Sequence, residues 1–228
     1  MAGIKWGSIG PKFRRDKVII VGSGSSLEGF DFSKLSGLGY VITINDSVRS
    51  LPALADMWFT LDPWGIHGPQ LPPKPFNGTK VAGAPQDFGR PDARNPSHAR
   101  AGRPDFLYLQ RLISHNFSDK SSETAYVLGL SEDPRCVSTG NSGYGAFNVA
   151  YHMHPKKILL LGIDGTVGYF YTKSKRNRPL DTLPLLFEST LPQIKRRKIE
   201  VINGSPESRI TCFSRYTIEE ALEAFNAD

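Results

Sequence analysis

The stretch from Cys136 to Asp164 limits the fold of this chain more than any other part of its 228 residues. It reads CVSTGNSGYGAFNVAYHMHPKKILLLGID: a short apolar segment, a polar glycine turn, an amphipathic run and an unbroken apolar run. This order predicts a short strand, a helix over Gly145–His152 and a fully buried strand over Ile158–Leu161. Strands that alternate with helices in this way are typical of α/β folds with a parallel sheet.

The turn before that helix is a candidate anion-binding site. The first N–H groups of a helix lack partners, and the helix dipole is positive at that end. We therefore predict that the hydroxyls, the amide and the backbone of this turn bind a nucleotide, with these residues: Ser138, Thr139, Gly140, Asn141, Ser142 and Gly143. The strand that follows ends at Asp164, and open α/β sheets place their ligands at the carboxyl ends of strands. Asp164 and the turn are expected to face one pocket, although a carboxylate at this position can also simply cap a loop.

A second glycine turn follows the first predicted strand, Lys17–Gly22. It is similar to a dinucleotide-binding fingerprint, but Leu27 occupies the position of the third glycine. Glycines let phosphate oxygens approach the backbone, and serines add hydrogen-bond donors. The predicted nucleotide-binding residues here are Gly22, Ser23, Gly24, Ser25 and Ser26. The alternative is a plain turn between a strand and a helix.

Polar residues also end the next two predicted strands. Tyr40–Ile44 is followed by Asn45 and Asp46, which are well placed to hold a base or a ribose, although both residue types also favour ordinary turns. Met57–Leu61 is followed by Asp62, a second carboxylate directed at the same edge of the sheet. Five polar clusters at one sheet edge favour a nucleotide pocket more strongly than any one of them does alone.

Two segments are predicted to lie outside the regular fold. Residues 65–120 are rich in proline and glycine and are predicted as a loop-rich insertion that contains short strands at Lys80–Ala84 and Phe106–Leu109. The insertion is basic, and this charge suits either an anionic substrate or a solvated surface. Its basic residues are Arg90, Arg94, His98, Arg100, Arg103, Arg111 and His115. Residues 168–190 are polar and basic at their centre and are predicted as a small lid.

The remainder of the chain completes the predicted fold. A helix is expected within Leu180–Arg197, a last strand at Lys198–Ile202, and a terminal helix after the capping box that begins at Thr217 and includes Glu220. The fold class is therefore predicted as α/β. Residues 1–228 form a single Rossmann-like domain with a doubly wound, mostly parallel sheet.

Composition narrows the class of partner. The net charge of +6 and pI near 9.3 permit a nucleotide, a nucleic acid or another acidic partner. The two cysteines, Cys136 and Cys212, do not form a metal-type spacing with histidines, so no metal site is predicted. The polar N-terminus, with no apolar run approaching the roughly 20 residues of a membrane span, predicts a cytoplasmic location. The sequence does not predict the oligomeric state.

These elements together resemble the small bacterial sialyltransferases and the related hydroxymethylpterin-diphosphokinase-like family. The resemblance rests on VGSGSSL (Val21–Leu27), on Asn45, on ADMWFTLD ending at Asp62, and on the turn Thr139–Gly143 with the later LLLGID. It covers the N-terminal and central thirds of the chain.

The resemblance implies roles for particular residues. In the sialyltransferases these elements bind a cytidine nucleotide-sugar, and tyrosines assist departure of the phosphate. The implied nucleotide-binding residues are Gly24, Ser25, Asn45 and Ser142, and the implied tyrosines are Tyr169 and Tyr171. Those enzymes use a histidine base after the lid, whereas no histidine follows His154 here. Either Asp164 or another carboxylate is then the base, or the chemistry is different.

Three functions remain open from the sequence. The first is a metal-independent glycosyltransferase that uses a CMP- or UDP-type sugar. It transfers the sugar, with inversion at the anomeric carbon, to a hydroxyl of an acceptor glycan or of a hydroxylated base. Its predicted catalytic residues are Asp164, Asp62, Tyr169 and Tyr171, and it requires no cofactor beyond the nucleotide-sugar. The second is a pyrophosphoryl or nucleotide transferase in which Asp62 and Asp164 hold Mg²⁺. The third is a DNA-binding or DNA-base-modifying protein, suggested by the basic charge.

Overall fold

Nine parallel strands form one sheet in the part of the chain that the computed structural model describes, namely residues 6–62, 71–85, 103–112, 126–172 and 180–227. All eight pairings between neighbouring strands are parallel. The strands are β1 (Lys17–Val21), β2 (Tyr40–Ile44), β3 (Met57–Thr60), β4 (Thr79–Ala84), β5 (Phe106–Arg111), β6 (Cys136–Val137), β7 (Lys157–Leu161), β8 (Glu200–Asn203) and β9 (Ser214–Arg215). The predicted α/β class with a parallel sheet is confirmed.

The strand order places β1 beside β7 within the sheet. From one edge to the other the order is β6-β5-β4-β3-β2-β1-β7-β8-β9. The chain therefore builds outward from β1 to β6 on one side, then returns to β7 and builds outward on the other side. Such a reversal is a topological switch point, and it opens a crevice beyond the carboxyl ends of the two central strands. Val21 pairs with Leu161, so the turns that follow β1 and β7 lie side by side.

Helices cover both faces of the sheet, as a doubly wound fold requires. On one face lie α1 (Ser142–His152), α2 (Leu183–Glu188) and α3 (Leu191–Arg197), and on the other lies α4 (Ile218–Asn226). Within β1, Val18 and Ile20 join the first core and Ile19 and Val21 join the second, which is the period of two expected of a strand. All four of these side chains are fully buried. Each contributes about 1.5–3 kcal/mol through burial of its apolar surface.

The connections after β1 and β2 differ from a standard Rossmann fold. They contain short 3₁₀ helices at Ser25–Leu27, Phe32–Leu35 and Asn45–Arg49, and no α-helix follows either strand. The dinucleotide fingerprint requires an α-helix directly after its glycine turn, and the turn after β1 therefore does not meet this requirement. The α-helix whose start adjoins a polar glycine turn at this edge is α1, after β6.

The helix ends follow the sequence signals. Asn141 is the N-cap residue of α1, and its Oδ1 accepts the N–H of Gly143 at 2.7 Å. The predicted capping box of α4 is present, since Thr217 Oγ1 and the Glu220 carboxylate each accept the other residue's N–H. The helix expected within Leu180–Arg197 is two short helices, because Pro192 in the first turn of α3 has no N–H with which to continue α2.

The predicted insertion and lid are partly integrated into the core. The strands expected at Lys80–Ala84 and Phe106–Leu109 are β4 and β5, which pair inside the sheet. In the segment predicted as a lid, Leu183, Leu186 and Phe187 of α2 are buried in the core. Residues 63–70, 86–102, 113–125 and 173–179 lie outside the described residues, and with them Arg90, Arg94, His98, Arg100 and His115. No described helix combines the length and apolar character needed to cross a bilayer.

Candidate active site

A cavity of about 340 Å³ lies at the carboxyl edge of the sheet, at the switch point between β1 and β7. Its volume falls in the range of roughly 300–1,000 Å³ that is common for small-molecule sites. Both predicted polar turns, the one after β1 and the one before α1, line this cavity. The predicted site residues in its wall are Gly22, Ser23, Gly24, Asn45, Asp62, Thr139, Gly140, Asn141, Ser142, Gly143, Asp164 and Tyr169.

Asp164 ties the turn after β7 to the turn after β1. Its Oδ2 accepts the backbone N–H of Ser26 at 2.9 Å, and its Oδ1 accepts the Ser26 hydroxyl at 2.7 Å. The side chain is buried, with 3% of its surface exposed. Both carboxylate oxygens of Asp164 therefore hold the glycine-serine turn. This contact corresponds to the alternative in which the carboxylate caps a loop.

The two glycines after β1 permit this close approach of turn to turn. A Cβ on Gly22 would lie 2.4 Å from the carbonyl oxygen of Gly162, and one on Gly24 would lie 2.2 Å from Oδ2 of Asp164. Neither glycine has a backbone conformation that requires glycine, so the restriction is steric. Packing between the two turns thus explains these glycines without reference to a phosphate.

Gly22→Ala is expected to lower the free energy of unfolding by about 1–3 kcal/mol, the usual cost of overpacking. The new methyl group would meet a backbone oxygen in a turn that is fixed by two paired strands. Chemical denaturation measures the change. Gly10→Ala is the matched control, since the nearest atom to its Cβ is Ser8 Oγ at 3.8 Å and its φ is −87°. Equal stability of the two variants would contradict the packing of the turns described here.

The start of α1 forms the facing wall of the cavity. Gly140 has φ +136°, and a Cβ there would lie 2.8 Å from Leu186 and 2.9 Å from Tyr126, so the turn requires glycine. Asn141 caps the helix, and Ser142 at its first position accepts a long hydrogen bond of 3.4 Å from Nδ2 of Asn45. The helix start and the end of β2 are therefore linked across the cavity.

Asn45 lines the cavity at the end of β2, in an unusual backbone conformation. Its backbone is left-handed, with φ 52°, which asparagine tolerates better than most residues. The indole N–H of Trp58 donates to its carbonyl at 2.8 Å and fixes that conformation. Its Oδ1 is buried and has no hydrogen-bond partner within the described residues. Its neighbour Asp46 does not line the cavity and pairs with Arg49 at 3.3 Å.

Arg111 brings a positive charge into the cavity wall, beside Asp62. Its Nε donates to the carbonyl of Gly83 at 3.0 Å, and a side chain on Gly83 would collide with Leu61 and Val137. Burial lowers the pKa of Arg111, and the negative charge of Asp62 acts in the opposite direction. The guanidinium remains charged, because its ordinary pKa is above 12. The sequence indicated Arg111 only as one of several basic residues, although it follows an apolar run and so ends a strand.

The loop after β7 completes the wall. The backbone of Tyr169 forms an isolated bridge with Gly24, and the Phe170 N–H donates to the carbonyl of Ser23 at 3.2 Å. Tyr169 lines the cavity, whereas Tyr171 is outside the lining, with 42% of its surface exposed and its ring 5.7 Å from that of Tyr169. Sequence reasoning missed Thr166, which lines the cavity and whose buried hydroxyl has no hydrogen-bond partner in the described structure.

Several predicted residues have structural contacts instead of a place in the lining. Ser138 is fully buried, and its hydroxyl donates to Gly129 and accepts from Ser131. Ser26 binds Asp164, and Ser25 packs beside Gly168. Of the described residues that were predicted to bind nucleotide, the cavity wall does not include Ser25, Ser26, Asp46 and Ser138.

The side chains of the described residues are not arranged as a metal-binding site. No group of three or more His, Cys, Asp or Glu side chains with suitable proximity occurs among them. Among the described residues, Asp62 and Asp164 supply the carboxylates of the cavity wall, and both oxygens of Asp164 accept hydrogen bonds from Ser26. This arrangement does not fit the Mg²⁺ site of the pyrophosphoryl-transfer hypothesis.

Comparisons with known proteins add a distant likeness of fold. No protein-family model matches the chain, and no curated protein matches it. Among solved structures, it is similar to the sialyltransferase CstII from Campylobacter jejuni in complex with a substrate analogue, CMP-3FNeuAc. That likeness has a TM-score of 0.48 and 16% identity, and it covers 88% of this chain and 85% of that one. It is too distant to support a function, so the functional argument below depends on the cavity itself. Fold and cavity define a Rossmann-like α/β protein with a cavity lined by polar residues at its switch point.

Proposed function

We propose that this protein is a metal-independent glycosyltransferase whose nucleotide-sugar donor binds in the cavity between β1 and β7. The main support is the cavity wall at Asn45 and Thr166, because each residue carries a buried oxygen, Asn45 Oδ1 and Thr166 Oγ1, with no partner among the described residues. More than nine in ten buried polar groups are normally hydrogen-bonded. These two oxygens are closed off from solvent, and a small rotation of either side chain would bring its oxygen to the N–H and O–H groups of a bound base or ribose.

The charge of the cavity suits a phosphate. Arg111 and the first turn of α1 both line it, and each favours an anion. Together they would neutralise the negative charge that develops on a departing nucleotide, which is the task a divalent ion performs in other transferases. The Tyr169 hydroxyl is proposed to donate a hydrogen bond to the leaving phosphate oxygen.

The proposed reaction is a single displacement. The acceptor hydroxyl attacks the anomeric carbon, the bond from that carbon to the phosphate oxygen breaks, and the nucleotide leaves with the electron pair. The acceptor's proton passes to a carboxylate. Of the two carboxylates in the wall, Asp62 is the better base, because it is exposed while Asp164 is buried and holds Ser26 through both oxygens. We therefore assign Asp62 as the base and Asp164 as a positioning residue.

A thermal-shift panel of nucleotides tests the proposal. A cytidine or uridine nucleotide at about 100 times its Kd adds roughly 2.7 kcal/mol of stability. For a chain of this size that corresponds to a rise of roughly 5–10 °C in melting temperature. Arg111→Met is expected to remove most of the rise, because the variant keeps the length of the side chain and loses its charge.

The control variant is Arg49→Met, which removes an exposed arginine outside the cavity. It is expected to respond like the wild type. The proposal fails if no cytidine or uridine nucleotide changes the melting temperature. A response to ATP that disappears when Mg²⁺ is chelated would favour the pyrophosphoryl-transfer alternative.

A further inference from the structure

In the part of the chain that the structure describes, the exposed large aliphatic side chains are concentrated on one surface. Among the described residues, the large aliphatic side chains that are exposed are Leu128, Leu185 and Leu191, at 52%, 44% and 37%. Single exposed leucines are common and need no explanation, but a cluster of them indicates a binding surface.

Hydrogen bonds bring these leucines together around Ser189. The Ser189 N–H donates to the carbonyl of Leu185 at 3.0 Å, and the Ser189 hydroxyl accepts the N–H of Gly129 at 2.8 Å. The loop that carries Leu128 therefore lies beside the junction of α2 and α3. Leu191 begins α3 two residues after Ser189. We call the solvent-facing side of Leu128 and of residues 185–198 the α2–α3 surface.

The same surface is basic at its far end. α3 ends in Lys195, Arg196 and Arg197 and is capped by Lys198. Thr190 and Ile194 face the core, whereas Leu191, Lys195 and Lys198, spaced by four and three residues, are exposed. Glu188 is an exposed acid in this stretch, and Glu132 pairs with Arg196 and Arg197. Lys195 and Lys198 have no salt bridge with another described residue.

Further cations adjoin the end of α3. Arg197 donates to the carbonyl of Tyr151 at 2.9 Å, and the Arg15 N–H donates to that of Met153 at 3.1 Å. Partial burial lowers the pKa of His154, which follows α1 here, and the charges of Arg197 and Arg14 lower it further, while Glu132 acts in the opposite direction. The positive charge therefore extends from α3 to the end of α1, at the amino edge of the sheet and away from the cavity.

We infer that the α2–α3 surface binds a bilayer that contains anionic lipids. The leucines would enter the boundary between headgroups and acyl chains, and the lysines and arginines would contact lipid phosphates. This pairing of aliphatic and cationic side chains is the composition of an interfacial membrane-binding surface. A nucleic acid would use the cations but would gain little from exposed leucines. The α2–α3 surface is separate from the proposed catalytic residues, so this inference does not depend on the reaction.

Co-sedimentation with vesicles tests the inference. We expect the wild type to sediment with phosphatidylcholine vesicles that contain about one third phosphatidylglycerol, less with pure phosphatidylcholine, and less again as salt rises. Lys195→Glu with Lys198→Glu is expected to weaken binding to the anionic vesicles at least tenfold. Leu185→Ser with Leu191→Ser is expected to weaken it about three- to tenfold at the same ionic strength.

Lys34→Glu with Arg49→Glu provides the matched charge control, because both are exposed cations on other parts of the surface. This control is expected to bind like the wild type, and melting temperatures check that every variant is folded. Failure of the wild type to bind anionic vesicles would overturn the inference, as would an equal loss in the control. Binding to duplex DNA that depends on the lysines, together with vesicle binding unaffected by the leucine pair, would instead identify a nucleic-acid surface and also overturn it.

Discussion

Asp164→Asn is expected to lower both the stability of the protein and its affinity for nucleotide. Asparagine can place one oxygen and one NH₂ group against Ser26, whose N–H and hydroxyl both donate to the carboxylate. The Ser26 hydroxyl can turn to accept from the NH₂ group, so both contacts persist, but as neutral hydrogen bonds instead of bonds to a charge. Hydrogen bonds to charged groups contribute about 1.5–3 kcal/mol each, and neutral ones about 0.5–1.5 kcal/mol. We expect a loss of about 2–3 kcal/mol in the free energy of unfolding.

The loss of affinity follows from the position of the turn. The Gly22–Ser26 turn lines the cavity through its glycines and Ser23, and Asp164 is its tie to the end of β7. A loosened turn must be ordered again when a ligand binds, so Kd for nucleotide should rise about tenfold, equivalent to about 1.4 kcal/mol. Denaturation and nucleotide titration of the same sample measure both effects.

Ser26→Ala provides the comparison for this prediction. It removes the hydroxyl bond and keeps the bond from the backbone, so its losses should be about half as large. The double variant completes a double-mutant cycle and measures the coupling energy between Asp164 and Ser26. If Asp164→Asn keeps wild-type stability and affinity but loses turnover, Asp164 takes part in the chemistry and our assignment of it as a positioning residue is wrong.

Much of the fold could be predicted because its strands are apolar on both sides. Runs such as Ile158–Leu161 have no polar face, and buried parallel strands are the usual reason. β9 was missed because it has two residues, both exposed, and therefore no pattern. The edge of the sheet that holds the cavity was also predictable, since parallel strands bring their carboxyl ends to one side.

The individual contacts in the site could not be predicted, because they depend on where each side chain points. Ser138 and Thr139 are neighbours of similar chemistry, yet Ser138 is buried against Gly129 while Thr139 lines the cavity. Asp164 and Ser26 are 138 residues apart, and no local pattern indicates their pairing. Arg111 could be distinguished from the other basic residues of its segment only as the end of a strand.

The second large effect is expected from Asp62→Asn. This substitution keeps the size of the side chain and removes its ability to accept a proton. General-base catalysis contributes about 10²–10⁴ in rate, so kcat should fall by that factor. Because the proposed acceptor hydroxyl and not the nucleotide contacts Asp62, the nucleotide-dependent rise in melting temperature should be almost unchanged. Release of free nucleotide from a CMP- or UDP-sugar, with water as acceptor, measures kcat without knowledge of the natural acceptor.

Asp46→Asn is the control that separates the role of Asp62 from a general effect of charge. Asp46 is also a carboxylate that follows a strand at this edge, but it lies outside the cavity wall and pairs with Arg49. Asp46→Asn should retain turnover within about twofold, because surface substitutions away from buried contacts usually change free energies by less than about 0.5 kcal/mol. Full turnover by Asp62→Asn would exclude it as the base. If Asp62 and Asp164 have the roles assigned here, the two asparagine variants must differ in kind, one losing rate with binding retained and the other losing binding and stability together.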